Sequence, residues 1–203
     1  MQQILFVMKR IITLFLIVLP SFLYAQKGPA DKARGVFIAF GVGPRLPLNY
    51  FANSTDLGYG FNIEISYTDN EYLPVFLFGK IGFDQYPGSQ SYYETSDYSN
   101  YSTNALPLAV GARYYFPPLI KSIVLLMPVV EASVDYTYYQ KLHQFKLATG
   151  KSNYLENTSK VGFSAGGGVS MFMLEILASY NYFQTNQFIS VDLRVRLPLY
   201  INL

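Results

Sequence analysis

The stretch LGYGFNIEISYT, residues 57–68, decides the fold of this chain. Large apolar and aromatic residues occupy every second position, and Gly, Asn, Glu, Ser and Thr occupy the positions between them. Side chains alternate between the two faces of a β-strand with a period of two, whereas a helix repeats every 3.6 residues. The stretch is therefore predicted to be a strand with one apolar face and one small or polar face.

The same alternation recurs along the chain. Seven further segments show it, beginning near Val36, Val75, Leu106, Val130, Val161, Leu174 and Ile189. Together they make about eight strands, most of them long enough to cross a membrane at a tilt. The predicted fold class is all-β, a single antiparallel up-and-down transmembrane β-barrel that follows a cleaved signal peptide.

Alternation alone does not say which face points inward, because a soluble lipocalin-like barrel also alternates, with its apolar residues inside. The polar face of these strands is mostly Gly, Ser and Ala with scattered charges, whereas a solvated face would be rich in Lys, Glu and Thr. Small residues suit a narrow lumen that a few long charged side chains must cross. We therefore expect the apolar face to meet lipid.

Ten charged residues fall on the inward face under this assignment. They are Glu64, Lys80, Asp84, Arg113, Glu131, Asp135, Glu175, Asp192, Arg194 and Arg196. In so narrow a barrel we expect them to neutralise one another and plug the lumen. The alternative is that they line an ion path.

The first 25 residues have the features of a secretory signal peptide. A positive n-region, a short apolar run and a small-residue cleavage site are formed by Lys9-Arg10, residues 11–19 and Leu23-Tyr24-Ala25. We expect cleavage before Gln26, which leaves residues 26–203 as one barrel domain, and Met8 is an alternative start. The competing interpretation is an uncleaved membrane anchor, for which the apolar run is short.

Composition narrows the function classes. The chain is 51% hydrophobic and 17% aromatic but 14% charged, whereas about a quarter of a soluble domain is charged. It has no Cys, which excludes a disulfide framework, a thiolate metal site and a cysteine nucleophile. Two of its 15 basic residues lie in the leader, which leaves 13 basic and 13 acidic residues and gives no support to nucleic-acid binding.

The predicted connections differ in length. Long ones are expected at residues 44–56, 87–103 and 140–158, and short ones at 69–72, at 117–122, near Phe172 and near Thr185-Asn186. Long loops at one end and short turns at the other are the outer-membrane arrangement, and they place both termini in the periplasm. A final turn centred between Thr185 and Asn186 would put Glu175 directly opposite Arg196 and Tyr180 opposite Val191.

The chain resembles the small outer-membrane β-barrel proteins of Gram-negative bacteria, the OmpA/OmpX-type and "porin-like" barrel domains. The resemblance lies in the leader, in LPLAVGARYYF (106–116), PVVEA (128–132) and SAGGGV (164–169), and in the last strand VDLRVRL (191–197). It is one of pattern over the whole mature chain. It implies an outer-membrane location, contact with outer-membrane lipid and insertion by the barrel-insertion machinery, for which Tyr200 is the candidate terminal aromatic residue.

Three features could carry chemistry. Lipid-modifying barrels of this architecture use His with Ser and an acid, but nothing spaces such a triad around His143, which is predicted to be a solvated loop residue. Gly166-Gly167-Gly168 lacks the helix that a phosphate cradle needs and is predicted to line the lumen. The Ser/Tyr-rich residues 86–101 have the composition of adaptable binding loops or of a neutral surface loop.

The expected function is therefore a structural or surface-interaction role in the outer membrane, with no catalytic, cofactor or metal site and a possible extracellular ligand at the long loops. A narrow pore for small solutes is the first alternative. A membrane lipid-modifying enzyme is the second alternative. Fold alone does not separate them, because such barrels serve as adhesins, membrane staples, pores and enzymes.

Overall fold

A computed structural model describes residues 34–69, 73–119 and 126–202. Eight strands run through these residues: β1 Arg34–Leu48, β2 Gly58–Asp69, β3 Leu73–Pro87, β4 Tyr98–Tyr115, β5 Leu126–Phe145, β6 Tyr154–Met171, β7 Leu174–Tyr182 and β8 Gln187–Asn202. Short 3₁₀ turns at Asn49–Phe51 and Leu147–Thr149 and one α-helix, α1 (Gln90–Thr95), lie in the connections. The predicted signal peptide lies outside the described residues.

The strands form one closed antiparallel barrel in sequence order. Each strand pairs with the next, and β8 closes the ring by pairing with β1 from Arg34↔Asn202 to Leu48↔Gln187. Closure leaves no sheet edge with unpaired backbone groups, which is the condition for a sheet to exist in hydrocarbon. The predicted all-β, up-and-down barrel of eight strands is confirmed.

The apolar face points outward. In β2, Ile63 and Ile65 are 39% and 58% exposed, whereas Asn62, Glu64 and Ser66 are 5%, 0% and 1% exposed. The other strands repeat this arrangement, since most of the large exposed side chains are the apolar residues of the alternating pattern. The choice of an inverted barrel over a soluble one is therefore confirmed.

The strands are longer than the alternation suggested, and the loops are correspondingly shorter. β1 continues to Leu48, β4 begins at Tyr98 and β5 continues to Phe145, so the three connections expected to be long are residues 49–57, 88–97 and 146–153. Their polar residues looked like loop residues, but they continue the strands. The connection expected at 117–122 spans 116–125, partly outside the described residues.

The barrel has two distinct ends. We call the end with Arg34 and Asn202 the terminus end, and the end with connections 49–57, 88–97, 146–153 and 183–186 the loop end. The predicted tight turn at Phe172 is present at the terminus end, where Met171 pairs with Leu174. Within the described ranges, no helix is long and apolar enough to cross a membrane.

Candidate functional site

The middle of the lumen is filled by a set of ion pairs that we call the inner charge layer. Its members are Glu64, Arg113, Glu131, Glu175, Arg194 and Arg196. Arg113 is at its centre: Nη1 and Nη2 donate to the Glu64 carboxylate at 2.7 and 2.6 Å, and Nε donates to Glu131 Oε2 at 2.9 Å. Two parallel bonds to one carboxylate are the strongest geometry an arginine offers.

The inner charge layer is buried and neutral. Arg113, Arg194 and Glu64 are 1%, 0% and 0% exposed. Three arginines face three glutamates, and Arg194 Nη1 bridges Glu64 and Glu131 at 3.2 and 3.1 Å. Charges this deeply buried are tolerated only when they are paired, and this layer pairs each one by sharing every carboxylate between two or more guanidinium groups.

Aromatic rings close the lumen on the terminus side of the inner charge layer. The Arg196 guanidinium lies 5.5 Å from the Phe76 ring centroid and 5.3 Å from that of Tyr115. The same rings contact each other edge to face at 4.8 Å. Tyr115 also donates its hydroxyl hydrogen to Glu175 Oε1 at 2.5 Å. Cation–π contacts with these two rings therefore cover the Arg196 guanidinium on the terminus side of the inner charge layer.

A second ion-pair set, the Arg45 cluster, lies on the loop side. Arg45 pairs with Asp84 through Nε at 2.8 Å and with Asp192 through Nη2 at 2.9 Å, and all three side chains are at most 5% exposed. Gly60 makes room for it, because a Cβ there would overlap Asp84 Oδ1 and lie 2.7 Å from Arg45 Nε. Sequence reasoning missed Arg45 by assigning it to a loop.

Half-buried Lys80 and buried Asp135 lie in the lumen wall without an ion pair. The Lys80 ammonium lies 5.9 Å from the Phe78 ring centroid, and no salt bridge to it occurs among the described residues. Asp135 accepts a hydrogen bond from Ser133 Oγ at 2.8 Å through Oδ1. Of the ten inward charges predicted, the structure thus joins eight into ion pairs and leaves these two apart.

Five rings seal the lumen at the loop end, and we call them the aromatic layer. They are Phe51, Tyr86, Tyr139, Phe183 and Phe188. Tyr86 contacts Phe51 at 4.7 Å and Phe188 at 5.7 Å between ring centroids. The sequence analysis did not identify this layer, although Tyr86 is two residues after Asp84 and therefore lies on the same inward face of β3.

The loop-end residues beyond the aromatic layer form a surface that we call the rim, which consists of Tyr92, Tyr98, His143, Phe145 and Tyr154 with the connections beside them. It contains the single histidine of the chain. His143 lies in β5 and is 6% exposed, so the prediction of a solvated loop residue is wrong. Its Nδ1 is 3.1 Å from the Tyr98 hydroxyl, its Nε2 is 3.1 Å from Glu156 Oε2, and its ring stacks on Tyr154 at 4.4 Å. No serine hydroxyl in the described ranges is bonded to it, so a Ser-His-acid triad is not assembled there.

The Ser/Tyr-rich residues 86–101 are a structured part of this rim. The Tyr92 ring, on α1, stacks on Tyr98 at 5.4 Å, and Tyr98 stacks on Phe145 at 4.7 Å. Lys146 Nζ donates to the carbonyl oxygens of Tyr93 and Ser96 at 2.9 and 2.8 Å. The rim is therefore a fixed aromatic surface at the loop end.

The three consecutive glycines singled out in the sequence are part of a strand. Gly166-Gly167-Gly168 lies within β6, where no helix follows it, so the phosphate-cradle alternative fails. Gly166 and Gly168 share the parity of buried Ser164 and Ser170, whereas Gly167 faces outward. Across the described ranges, no group of three His, Asp or Glu side chains is placed to hold a metal ion.

Several solved structures align with most of this chain at low sequence identity. No protein-family model matches the chain, and no curated protein sequence matches it. The solved structure of Neisserial surface protein A aligns with 82% of this chain and 99% of its own, with 14% identity and a TM-score of 0.49. Ail, the attachment invasion locus protein of Yersinia pestis, aligns with 83% of this chain and 100% of its own, with 13% identity and a TM-score of 0.44. A de novo designed transmembrane β-barrel aligns with 80% and 96% of the two chains, with 18% identity and a TM-score of 0.40.

Proposed function

We propose that this chain is an integral outer-membrane barrel with a structural or surface-interaction role, and that it does not conduct solutes. The observation that carries the proposal is the sealed lumen. From the terminus end to the loop end, the interior holds the Phe76 and Tyr115 rings, the inner charge layer, the Arg45 cluster and the aromatic layer. A small barrel of this strand number has an interior just wide enough for side chains to fill.

The strength of the plug argues against the narrow-pore alternative. An ion crossing the inner charge layer would have to separate Arg113 from Glu64 and Glu131, which are bonded to it at 2.5–2.9 Å. Breaking one partner out of a buried pair costs about 3–5 kcal/mol, and the layer shares its bonds among several pairs. Transient opening of this lumen is therefore expected to be rare.

The rim supports the surface-interaction part of the proposal. Its rings are stacked and its backbone is fixed by Lys146, and such a surface loses little conformational entropy when it binds a partner. The outward apolar belt supports contact with outer-membrane lipid. Export by the residue 1–25 leader, insertion by the barrel-insertion machinery, periplasmic termini and the absence of catalysis belong to the same proposal.

The closed barrel on which the proposal depends is tested first by electrophoresis. An unboiled detergent sample is expected to migrate at a different apparent mass from a boiled one, because a closed barrel resists unfolding in detergent. Identical mobility, in a chain that stays soluble without detergent, would contradict the proposal.

Conductance in planar bilayers then separates a plug from a pore. The refolded wild-type chain is expected to give no regular current steps. The neutral double variant Glu64→Ser/Arg113→Ser removes the centre of the inner charge layer without changing net charge, and it is expected to conduct more than the wild type if it still shows the mobility shift. Reproducible steps from the wild type, similar to those of the variant, would favour the pore.

Lipid A mass analysis with and without the gene tests the enzyme alternative.

A further inference from the structure

A small cavity lies in the lumen, walled in part by the Arg45 cluster. Its volume is about 30 Å³, and a water molecule needs about 10–15 Å³ measured this way, so it holds roughly two water-sized particles. The Arg45 cluster lines one part of it, and Asn62, Lys80, Asp135 and Thr137 are among its other lining residues, together with Phe183 and Phe188 of the aromatic layer. Neither the plug nor the rim makes use of this space.

The charged residues that line the cavity do not balance. Arg45 and Lys80 carry two positive charges, and Asp84, Asp135 and Asp192 carry three negative charges, which leaves an excess of one negative charge. The inner charge layer has three charges of each sign, and its Arg194 Nη2 also lies 3.5 Å from Asp192 Oδ2. Counted together, the two ion-pair sets with Lys80 and Asp135 hold five positive and six negative charges, so the excess of one negative charge remains. Lys160, the next cation toward the loop end, lies on the Tyr139 ring of the aromatic layer and is bonded to Thr185 and Asn186.

The cavity wall also presents oxygen atoms without partners. Asp135 Oδ2, Asn62 Oδ1 and Thr137 Oγ1 make no hydrogen bond within the described part of the chain. The three residues are 4%, 5% and 2% exposed. Leaving a buried polar atom unsatisfied costs about 1–3 kcal/mol, and more when the group is charged, so a bound group that these three oxygen atoms can contact would be stabilising.

We propose that the cavity is a binding site for one small monovalent metal cation, of the sodium class, held by Asp135 with Asn62 and Thr137. Carboxylate, amide and hydroxyl oxygens are the ligands that hard cations prefer. The charged residues that line the cavity, with Lys80 included, carry one net negative charge. One monovalent cation balances that charge. A divalent ion is disfavoured on the same count, and no group of three His, Asp or Glu side chains in the described ranges is placed to hold one.

The test uses the full chain folded in detergent, with sodium or thallium(I) as the probe and choline as a cation too large for the cavity. At constant ionic strength and pH, sodium is expected to raise the unfolding midpoint in a saturable way relative to choline, because a ligand that binds only the folded state stabilises it by mass action. Crystals grown with thallium(I) are expected to show an anomalous peak inside the cavity.

Asp135→Asn removes the excess charge and is expected to weaken the apparent sodium affinity by at least about tenfold, the loss typical of a charged partner. Asp97→Asn is the matched control, because Asp97 is an exposed carboxylate at the loop end, paired with Lys151 at 2.6 Å. It should keep the full sodium dependence. If Asp135→Asn does not fold, Thr137→Val provides the second test, with a smaller loss of affinity expected.

Two results would overturn the proposal. One is an equal midpoint in sodium and choline together with no thallium peak. The other is a chain that sodium does not stabilise but that gains stability in choline as the pH is lowered, which would mean that a proton carries the missing charge. The electrophoretic mobility shift is recorded in every buffer, so a failed cation site is distinguished from a failed barrel.

Discussion

Glu175 lies directly opposite Arg194 across the β7–β8 hairpin. The sequence-based register paired Glu175 with Arg196 and Tyr180 with Val191, and it is wrong, since Tyr180 pairs with Ile189. The connection is residues 183–186, so its centre is one residue earlier than predicted and the register moves by two. A shift of two keeps every side chain on its own face, and for that reason the alternation could not detect the error.

Glu175 and Arg196 still meet, because Arg196 Nη2 reaches diagonally to Glu175 Oε2 at 3.3 Å. We expect Glu175→Gln and Arg196→Gln each to lower the free energy of unfolding by about 1–3 kcal/mol, because each leaves a buried charge with fewer partners. The double variant should lose less than the sum, with a coupling of about 0.5–3 kcal/mol. Urea titration in detergent micelles measures this, and strict additivity would show that the diagonal contact is unimportant.

Gly60→Ala should destabilise the barrel through the Arg45 cluster. The added methyl group would overlap Asp84 Oδ1, and overpacking a filled interior costs about 1–3 kcal/mol. Gly79→Ala in β3 is the matched control, since nothing lies within 4 Å of a Cβ at that position. The same urea titration measures both, and an equal loss in the two variants would mean that the clash is relieved by movement of Asp84.

Charge on the outer face should be costly only within lipid. Ile63→Arg places a cation on the apolar belt and is expected to cost about 2–4 kcal/mol if the position lies at the bilayer midplane. Tyr50, 79% exposed at the loop end, is the comparison, and Tyr50→Arg should change folding yield in liposomes little. Equal yields for the two variants would argue that no lipid covers Ile63.

Replacing Phe172, in the tight turn at the terminus end, with glycine should raise the free energy of unfolding. Phe172 has φ 59°, a left-handed conformation that is costly for a bulky side chain, and its side chain is 83% exposed. Phe172→Gly removes that cost, and we expect a gain of up to about 1 kcal/mol in the free energy of unfolding, measured by urea titration. Phe163→Gly, in the middle of β6, should be destabilising instead. A loss of stability in Phe172→Gly would show that the ring has a supporting contact with lipid.

Trypsin added to intact cells should report the orientation of the barrel. Lys151 lies in the connection 146–153 at the loop end, and its side chain is 52% exposed. We expect cleavage there, while Arg34, at the terminus end and 44% exposed in its side chain, stays protected. Lys151→Gln should abolish the cut at that position. Cleavage at Arg34 in intact cells would place the loop end in the periplasm.

The sequence by itself determined the strands and their two faces. The period-two pattern is a local property, since each side chain's face follows from its neighbours in the same strand, and it placed Glu64 and Arg113 inside correctly. The pattern also continues past the predicted strand ends. Tyr86 and His143 occupy inward-facing positions of their strands, but the turn-like composition around them suggested loops. Strand ends in this chain are decided by backbone pairing with a neighbouring strand, which composition reports poorly.

Only the tertiary structure decided which charges meet. Arg113 binds Glu64 although the two residues lie on β4 and β2, with β3 between them. That choice depends on the register of every intervening pair and on closure of β8 onto β1, neither of which leaves a trace in a single strand. The same long-range geometry left Lys80 and Asp135 without ion pairs at one cavity, because a partner across a barrel is set by the tilt and width of the whole sheet and not by spacing along the chain.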